Sequence, residues 1–318
     1  MEYNKKIKLF YNKKQAVKTQ IGFSRSPEKP RLLLEYLNQN NLLSNYFEVE
    51  SGFPPFNSND FLIAHTPEYV DAFCSGKQPL CESNGLEWSE HFARSVGYTT
   101  SNLYHALKFA NENPSQVVFS PTSGFHHATP RGGGGFCSMS SQVISSVKLF
   151  REIGKKGCYL DLDGHYGNSI EDSRYFVHDL NQAVPKGFNF NPAGSNQWYI
   201  NRLKVFLNDL ETAVLNKKID YVVWCHGADS HEWDDLGGQC TTEEWIECAT
   251  LFYKWVKEIN KKLQHPLPVI LTLFGGYRSD DYNSVLSLHT ADIVTCLNIL
   301  CNHTIDYKPE VKEKTGRN

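Results

Sequence analysis

The stretch Cys158-Tyr-Leu-Asp-Leu-Asp-Gly-His165 decides the fold class of this 318-residue chain. Its apolar half is a continuous run rather than a strict alternation, which is typical of a parallel strand that helices cover on both faces. Three more such runs begin at Val117, Tyr221 and Val269, and longer helical patterns separate them. We therefore predict an α/β fold: one domain, residues 1–318, with a mainly parallel sheet covered by helices on both faces.

Capping signals mark the helices between these runs. Thr66-Pro67-Glu68 places a capping hydroxyl before a proline at the first helical position. Thr241 and Glu244 form a capping box ahead of an amphipathic segment that runs to about Leu263. Strands and helices thus alternate, and no internal repeat or linker divides the chain.

Composition and charge argue against several function classes. The formal net charge is −3, so the molecule has no overall field that attracts nucleic acid or anionic lipid. No apolar stretch approaches the roughly 20 residues that cross a bilayer, and the segment from Met1 lacks the apolar core of a secretory signal. The nine cysteines have no disulfide-scaffold or CxxC spacing. We expect a reduced, cytoplasmic protein without direct nucleic-acid or membrane binding; export as an effector and the oligomeric state stay open.

Polar side chains follow each of the four apolar runs. In open α/β sheets, ligands bind outside the carboxyl ends of the strands. The segments that follow the runs are Phe125-His-His127, Asp161-Leu-Asp-Gly-His165, His226-Gly-Ala-Asp229 and Gly275-Gly-Tyr277. We therefore expect them to meet at one edge of the sheet.

The residue types in these segments indicate a divalent metal site. Residues two apart on an extended chain point to the same side, so Asp163 and His165 can face one ion. Asp229 would supply a third ligand and leave open positions for water and substrate, as in catalytic zinc sites. Mixed nitrogen and oxygen ligation suits zinc or iron(II). His226 and His231 are rival ligands.

The paired histidines suggest proton transfer. The pKa of an imidazole lies near neutrality, so His126 or His127 can take a proton from water and give it to a leaving amine. Asp161 is the natural partner to hold the other ring nitrogen of one of them. Tyr277 follows two glycines that let the backbone approach closely, and its phenol can donate a hydrogen bond to an oxyanion.

The glycine run Gly132–Gly135 has no strand-to-helix setting of the kind that binds nucleotides. We interpret it as a flexible wall beside the substrate. Phe125 and Phe136 flank it and can form an aromatic channel for an apolar chain.

These motifs, taken together and in order, resemble the histone deacetylase family, which includes bacterial acetylpolyamine amidohydrolases and acetoin-utilisation proteins. The resemblance covers most of the chain and is nearest to class II-like bacterial members. The matching segments are His65-Thr-Pro-Glu-Tyr69, Gly124-Phe-His-His-Ala128, Gly135-Phe-Cys137, Asp161-Leu-Asp-Gly-His-Tyr-Gly-Asn168, Gly227-Ala-Asp-Ser-His231, Leu236-Gly-Gly238 and Phe274-Gly-Gly-Tyr277. An arginase/deacetylase-like sheet of roughly eight strands is then expected.

The resemblance also implies a role for each site residue. Zinc would bind Asp163, His165 and Asp229. Asp161 would stand behind His126 and Asn168 behind His127, and Tyr277 would polarise the acyl carbonyl. The acyl-lysine tunnel would be lined by Phe125, Gly135 and Phe136. A structural potassium ion near Asp161 is common in the family.

Some positions depart from the family pattern. Tyr166 stands where a second histidine is usual, and Ser169 where glycine is usual. Ser138-Met-Ser-Ser replaces an asparagine-rich turn, and Asp235 replaces a proline before Leu-Gly-Gly. None of these changes removes a ligand or a proton-transfer group.

The function predicted from the sequence is zinc-dependent hydrolysis of an acyl amide, most simply acetyl, on a lysine side chain. The alternatives are deacetylation of an acetylpolyamine or another small acylated amine, and a catalytically weak module that only binds acyl-lysine. A two-metal manganese ureohydrolase of arginase type is a further rival. Its usual aspartate–histidine blocks do not match this sequence.

Overall fold

The computed structural model describes residues 2–18 and 24–314. Its strands are β1 Ile7–Phe10, β2 Phe47–Glu50, β3 Val118–Phe119, β4 Gly157–Asp161, β5 Asn189–Phe190, β6 Tyr221–Cys225 and β7 Val269–Leu271. Its helices are α1 Lys29–Gln39, α2 Leu43–Tyr46, α3 Ser58–Phe61, α4 Pro67–Ser75, α5 Glu90–Glu112, α6 Ser141–Ile153, α7 Ser169–Ser173, α8 Leu180–Ala183, α9 Asn196–Leu215, α10 Thr242–Ile259 and α11 Tyr282–Ile299.

The helix starts follow the capping signals. The Thr66 hydroxyl accepts the N–H of Tyr69 at 3.4 Å at the start of α4. Thr241 and Glu244 cap α10 reciprocally, as the capping box predicts. That helix ends at Ile259 and not at about Leu263. Asn260 follows it, and its side chain accepts the N–H of Leu267 at 2.9 Å, which redirects the chain toward β7.

One parallel sheet organises the fold, which confirms the predicted α/β class. Within the described residues it has seven strands in the order β2-β1-β3-β7-β6-β4-β5, and every neighbouring pair is parallel. The resemblance implied roughly eight strands. The register of β4 against β6 places Asp161 opposite Cys225, so these two strands end level with each other.

Alternate residues of the central strands enter two apolar cores, one on each face of the sheet. Leu160 and Trp224 belong to the core that includes residues of α1, α9, α10 and α11. Tyr159 and Val223 belong to the other core, with residues of α4, α5 and α6. Burial on both faces explains why these strands read as continuous apolar runs.

The sheet order brings the functional loops together. The strands that precede the four candidate segments are β3, β4, β6 and β7, and they are consecutive in the sheet as β3-β7-β6-β4. Because all of them are parallel, their carboxyl ends lie at one edge. Among the described residues, no helix has the length and apolar character needed to cross a membrane.

Candidate active site

Two neighbouring strands deliver the predicted metal ligands. Asp163 and His165 follow β4, and the Leu162 N–H extends the sheet by donating to the Cys225 carbonyl at 2.9 Å. Asp229 lies in a 3-10 turn, Ala228–Ser230, soon after β6. The level ends of the two strands therefore put both acids and the histidine on the same side of the sheet.

The three predicted ligands converge. The Nδ1 atom of His165 is 3.0 Å from Asp163 Oδ1 and 3.0 Å from Asp229 Oδ2. One potential ligand atom from each residue lies within 4.8 Å of the others. Among the described residues, these three side chains therefore form a cluster that could hold a metal ion. Two carboxylates and an imidazole suit a divalent metal such as zinc.

Burial makes a cation at this place energetically favourable. Asp229 is completely buried and Asp163 nearly so. Burial, and then the charge of Asp163, raise the pKa of Asp229 to about 6. Hydrogen bonds to the same two carboxylates raise the pKa of His165 to about 10. A divalent ion between the acids would offset their repulsion, so the residues fit a metal.

Three glycines pack against Asp229 and fix its position. A β-carbon on Gly227 or Gly275 would collide with the Asp229 carboxylate, and one on Gly237 would collide with the Asp229 carbonyl oxygen. The close approach inferred for Gly275 is thus confirmed. Gly227 and Gly237 were part of the quoted motifs, but only their contacts reveal this role.

We expect Gly275→Ala to weaken metal binding by about 10- to 100-fold, the range seen when the support of a ligand is disturbed. The added methyl would displace the Asp229 carboxylate. A zinc titration against a competing chelator measures the change. Gly154→Ala is the matched control, because Gly154 also has positive φ but a β-carbon there meets no atom within 4 Å. Unchanged affinity in Gly275→Ala would contradict this explanation.

The paired histidines lie beside the ligands, with their ring centroids 4.1 Å apart. His126 Nδ1 is 2.9 Å from Asp161 Oδ2, and its Nε2 is 3.7 Å from Asp163 Oδ1. His127 Nδ1 is 3.0 Å from Asn168 Oδ1. The Asn168 amide donates to Asp172 at 2.5 Å. That bond orients the Asn168 oxygen toward His127, so His127 Nδ1 carries the proton and Nε2 keeps its lone pair.

The surroundings of the two histidines separate their pKa values. Burial alone would lower the pKa of His126, but the carboxylates of Asp163 and Asp161 outweigh it and raise the pKa to about 9. Burial, and then the nearby charge of His126, lower the pKa of His127 to about 4. One histidine of the pair is thus arranged to hold a proton and the other to accept one.

Tyr277 faces the same centre. Its ring centroid is 6.1 Å from that of His165 and 5.6 Å from that of Phe136. Burial raises the pKa of its phenol well above the usual value, so the hydroxyl keeps its proton as a donor. The four strand ends therefore bring together the candidate ligands, the histidine pair and the tyrosine.

The sequence of residues 24–184, half of the chain, matches the model of the histone deacetylase domain. The chain belongs to the histone deacetylase domain family. This is a hydrolase family of deacetylases, as the resemblance implied.

A curated relative shares the family name, and two solved structures share the fold. Histone deacetylase B of Dictyostelium discoideum is 22% identical over 297 residues, which are 81% of this chain and 66% of that protein. The chain thus spans just under two thirds of that relative's length. The HD domain of HDA15 superposes with a TM-score of 0.70 at 16% identity, over 95% of this chain and 91% of that one. An acetylpolyamine aminohydrolase from Burkholderia pseudomallei superposes with a TM-score of 0.65 at 17% identity, over 91% of this chain and 98% of that one.

The rival histidines of this histone deacetylase family member lie away from the ligands. His226 stacks on Trp245 with centroids 3.8 Å apart, and its Nδ1 is 3.4 Å from Asp292. Both ring nitrogens of His231 are engaged, Nε2 with Thr242 at 2.8 Å and Nδ1 with the Trp233 N–H at 3.1 Å. The contacts of His231 occupy both of its ring nitrogens, whereas the buried Nε2 of His226 has no hydrogen-bond partner among the described residues. Neither histidine belongs to the group of Asp163, His165 and Asp229.

The two tunnel phenylalanines differ in position. Phe125 is buried in a core and packs edge-on against Phe274, and it lines a small cavity together with Phe136. Phe136 is half-buried beside Tyr277, and Gly135 is exposed and packs on the His127 ring. The lining role of Phe125, Gly135 and Phe136 stays a prediction.

A completely buried lysine escaped the sequence analysis. The amine of Lys29 donates to the carbonyls of Phe274 and Gly275 at 3.1 and 2.5 Å. Burial lowers its pKa to about 8, and the carboxylates of the site oppose that shift. The helical spacing of Lys29, Leu33 and Leu37 in the sequence was the feature that could have predicted its burial, because these residues share the buried face of α1.

Proposed function

We propose that residues 1–318 form a zinc-dependent deacetylase domain that hydrolyses an acyl amide, most simply acetyl, on a lysine side chain. The products would be a carboxylate and a free amine. The observation that carries the proposal is the position of the histidine pair, whose His126 Nε2 lies 3.7 Å from the ligand-group atom Asp163 Oδ1. Proton-transfer groups next to an open metal site are what amide hydrolysis requires.

Asp163, His165 and Asp229 would hold the metal. When bound, zinc would polarise the acyl carbonyl and lower the pKa of the attacking water toward about 7. We also propose a structural potassium ion near Asp161, which would take no part in the proton transfers.

The chain's own residues would move the protons. His127, whose Nδ1 donates to Asn168, presents Nε2 as the base that takes the water proton. His126, backed by Asp161, gives a proton to the leaving amine. Tyr277 donates its hydroxyl to the carbonyl oxygen as negative charge develops there.

A panel of substrates tests this function. The zinc-loaded protein would be assayed on acetyl-lysine peptides and on acetylated polyamines, with and without a chelator, by release of free amine. Chelator-sensitive hydrolysis of the peptides is the expected result. Preference for the polyamines would favour the small-amine alternative, and peptide binding without turnover would favour a binding module. The Asp229→Ala variant controls for contaminating hydrolases.

Location and partners are proposed more broadly. An acylated lysine of a protein, or a small acylated amine, is the partner that this chemistry would recognise. We keep the cytoplasmic location as a proposal, which cell fractionation with an antibody against the chain can test.

A further inference from the structure

Two adjacent carboxylates accept hydrogen bonds from the backbone at Tyr277 and two residues after it. Asp234 Oδ2 accepts the N–H of Tyr277 at 2.7 Å, and Asp235 Oδ2 accepts the N–H of Ser279 at 2.9 Å. The Ser279 hydroxyl donates to the same Asp235 oxygen at 2.6 Å. The Asp235 side chain is only 8% exposed, although the Ser279 groups that it binds are open to solvent. We call the two acids the carboxylate clamp.

A segment near the C-terminal end of the described residues contacts Asp235 and the neighbouring Arg278. The Lys314 amine pairs with Asp235 Oδ1, the oxygen that does not bind Ser279. The nearly buried Arg278 donates to the Lys312 carbonyl at 2.8 Å and makes two bonds with Asp280, at 2.7 and 2.9 Å. We call residues 310–314 the C-terminal strap. Its Glu310 and Lys312 N–H groups are anchored on α11, by the hydroxyls of Ser287 at 2.7 Å and Ser284 at 3.1 Å respectively.

The loop needs such a hold because of its glycines. Gly275 and Gly276 both have positive φ, at 24° and 118°, and precede Tyr277 directly. Glycine has the largest freedom of backbone rotation, so the two glycines do not by themselves fix the direction of the tyrosine ring. The clamp adds control on both sides of the ring, because Asp234 binds the N–H of Tyr277 and Asp235 binds the backbone that follows it, at Ser279.

We propose that Asp235, locked by Lys314, is a positioning residue that keeps the Tyr277 hydroxyl aimed at the reacting carbonyl. The inference rests on the proposed deacetylase function. Asp235 stands where the resemblance places a proline, which has no side-chain acceptor. Asp235 is therefore a part of the clamp that the family pattern does not supply.

Kinetics of Asp235→Ala test the role. The value of kcat should fall by about 10- to 100-fold, as expected when a catalytic group is misplaced by about an ångström. KM and zinc content should stay close to the wild-type values, because the hydrogen bonds of Asp235 are made with Ser279 and Lys314 and not with the predicted ligands. Lys314→Met should give a smaller fall of the same kind.

A double-mutant cycle separates positioning from general damage. If Asp235 acts through the Tyr277 hydroxyl, adding Asp235→Ala to Tyr277→Phe should cost almost nothing more in kcat. An equal fall in both backgrounds would overturn the proposal. Lys312→Met is the matched control, because it also removes a cation from the C-terminal strap. The Lys312 side chain is 79% exposed, and it pairs with Asp281 and not with Asp235. This variant should leave kcat unchanged.

Hydrogen exchange gives a readout that needs no activity. The amide of Ser279 should exchange about 10-fold faster or more in Asp235→Ala than in the wild type, because its acceptor is gone. Unchanged exchange would overturn the clamp. Faster exchange in a protein whose wild type hydrolyses no acylated amine would uphold the clamp and refute the proposed function. If Asp235→Ala does not fold, Ser279→Ala and Lys314→Met test the positioning role of Asp235 instead. Their kcat and the amide exchange at position 279 would be measured in the same way.

Discussion

Replacing Asp229 with alanine should remove the bound metal and the hydrolytic activity together. Asp229 is completely buried; its Oδ1 accepts the Gly164 N–H at 2.9 Å and its Oδ2 lies 3.0 Å from His165 Nδ1. Alanine leaves two of the three ligands. The loss should exceed by far the roughly 100-fold that removal of a supporting partner costs. Elemental analysis of zinc per chain and the rate of amine release measure the two effects.

The control for this prediction is His231→Gln, which changes the rival histidine. That variant should keep its metal, since both His231 nitrogens are already engaged with Thr242 and Trp233. Chelation should abolish wild-type activity, and added zinc should restore it in the wild type but not in Asp229→Ala. Normal zinc content in Asp229→Ala would show that the third ligand is another residue. Two metals per wild-type chain would favour the ureohydrolase alternative.

Tyr277→Phe should lower kcat and kcat/KM together by about 100- to 1000-fold. The hydroxyl acts where negative charge develops in the transition state, so substrate binding in the ground state should hardly change. Zinc content should stay the same. The free energy of unfolding should change by no more than about 1 kcal/mol, the usual net worth of one hydroxyl hydrogen bond. Steady-state kinetics and urea unfolding of the metal-loaded variant supply these values.

A second tyrosine provides the control. Tyr253 is also fully buried, in the core that includes residues of α10 and α11, and its hydroxyl is 3.2 Å from Asp292. Tyr253→Phe should keep wild-type kcat. The loss in Tyr277→Phe should be smaller for a trifluoroacetyl substrate, because its carbonyl is already activated. Wild-type turnover of an acetyl substrate by Tyr277→Phe would mean that the phenol only packs at the strand end.

The local sequence was sufficient to predict those features that depend on residues close together in the chain. Alternation along an extended segment placed Asp163 and His165 on one side. Capping hydroxyls marked the starts of α4 and α10, because a capping bond spans only three residues. Continuous apolar runs identified parallel strands covered on both faces. Each of these inferences depends on contacts within a few residues.

The choice among rival ligands needed the tertiary structure. His226 and Asp229 lie three positions apart in one segment, and both are chemically able to bind zinc. The local sequence does not show that the indole of Trp245 stacks on His226. Nor does it show that glycines of two other loops pack against Asp229. Packing between distant segments decided which side chain faces His165.

The sequence by itself determined the fold class, the order of the motifs and the chemical types of the site residues, because these follow from periodicity and composition. The tertiary structure alone decided that β3, β7, β6 and β4 are neighbours, that Lys29 lies under the tyrosine loop, and that Asp235 and Lys314 meet beside it. The pairs Lys29–Gly275 and Asp235–Lys314 are far apart along the chain. Their contacts arise only when the sheet order and the helix packing bring the segments together, and no local pattern encodes that.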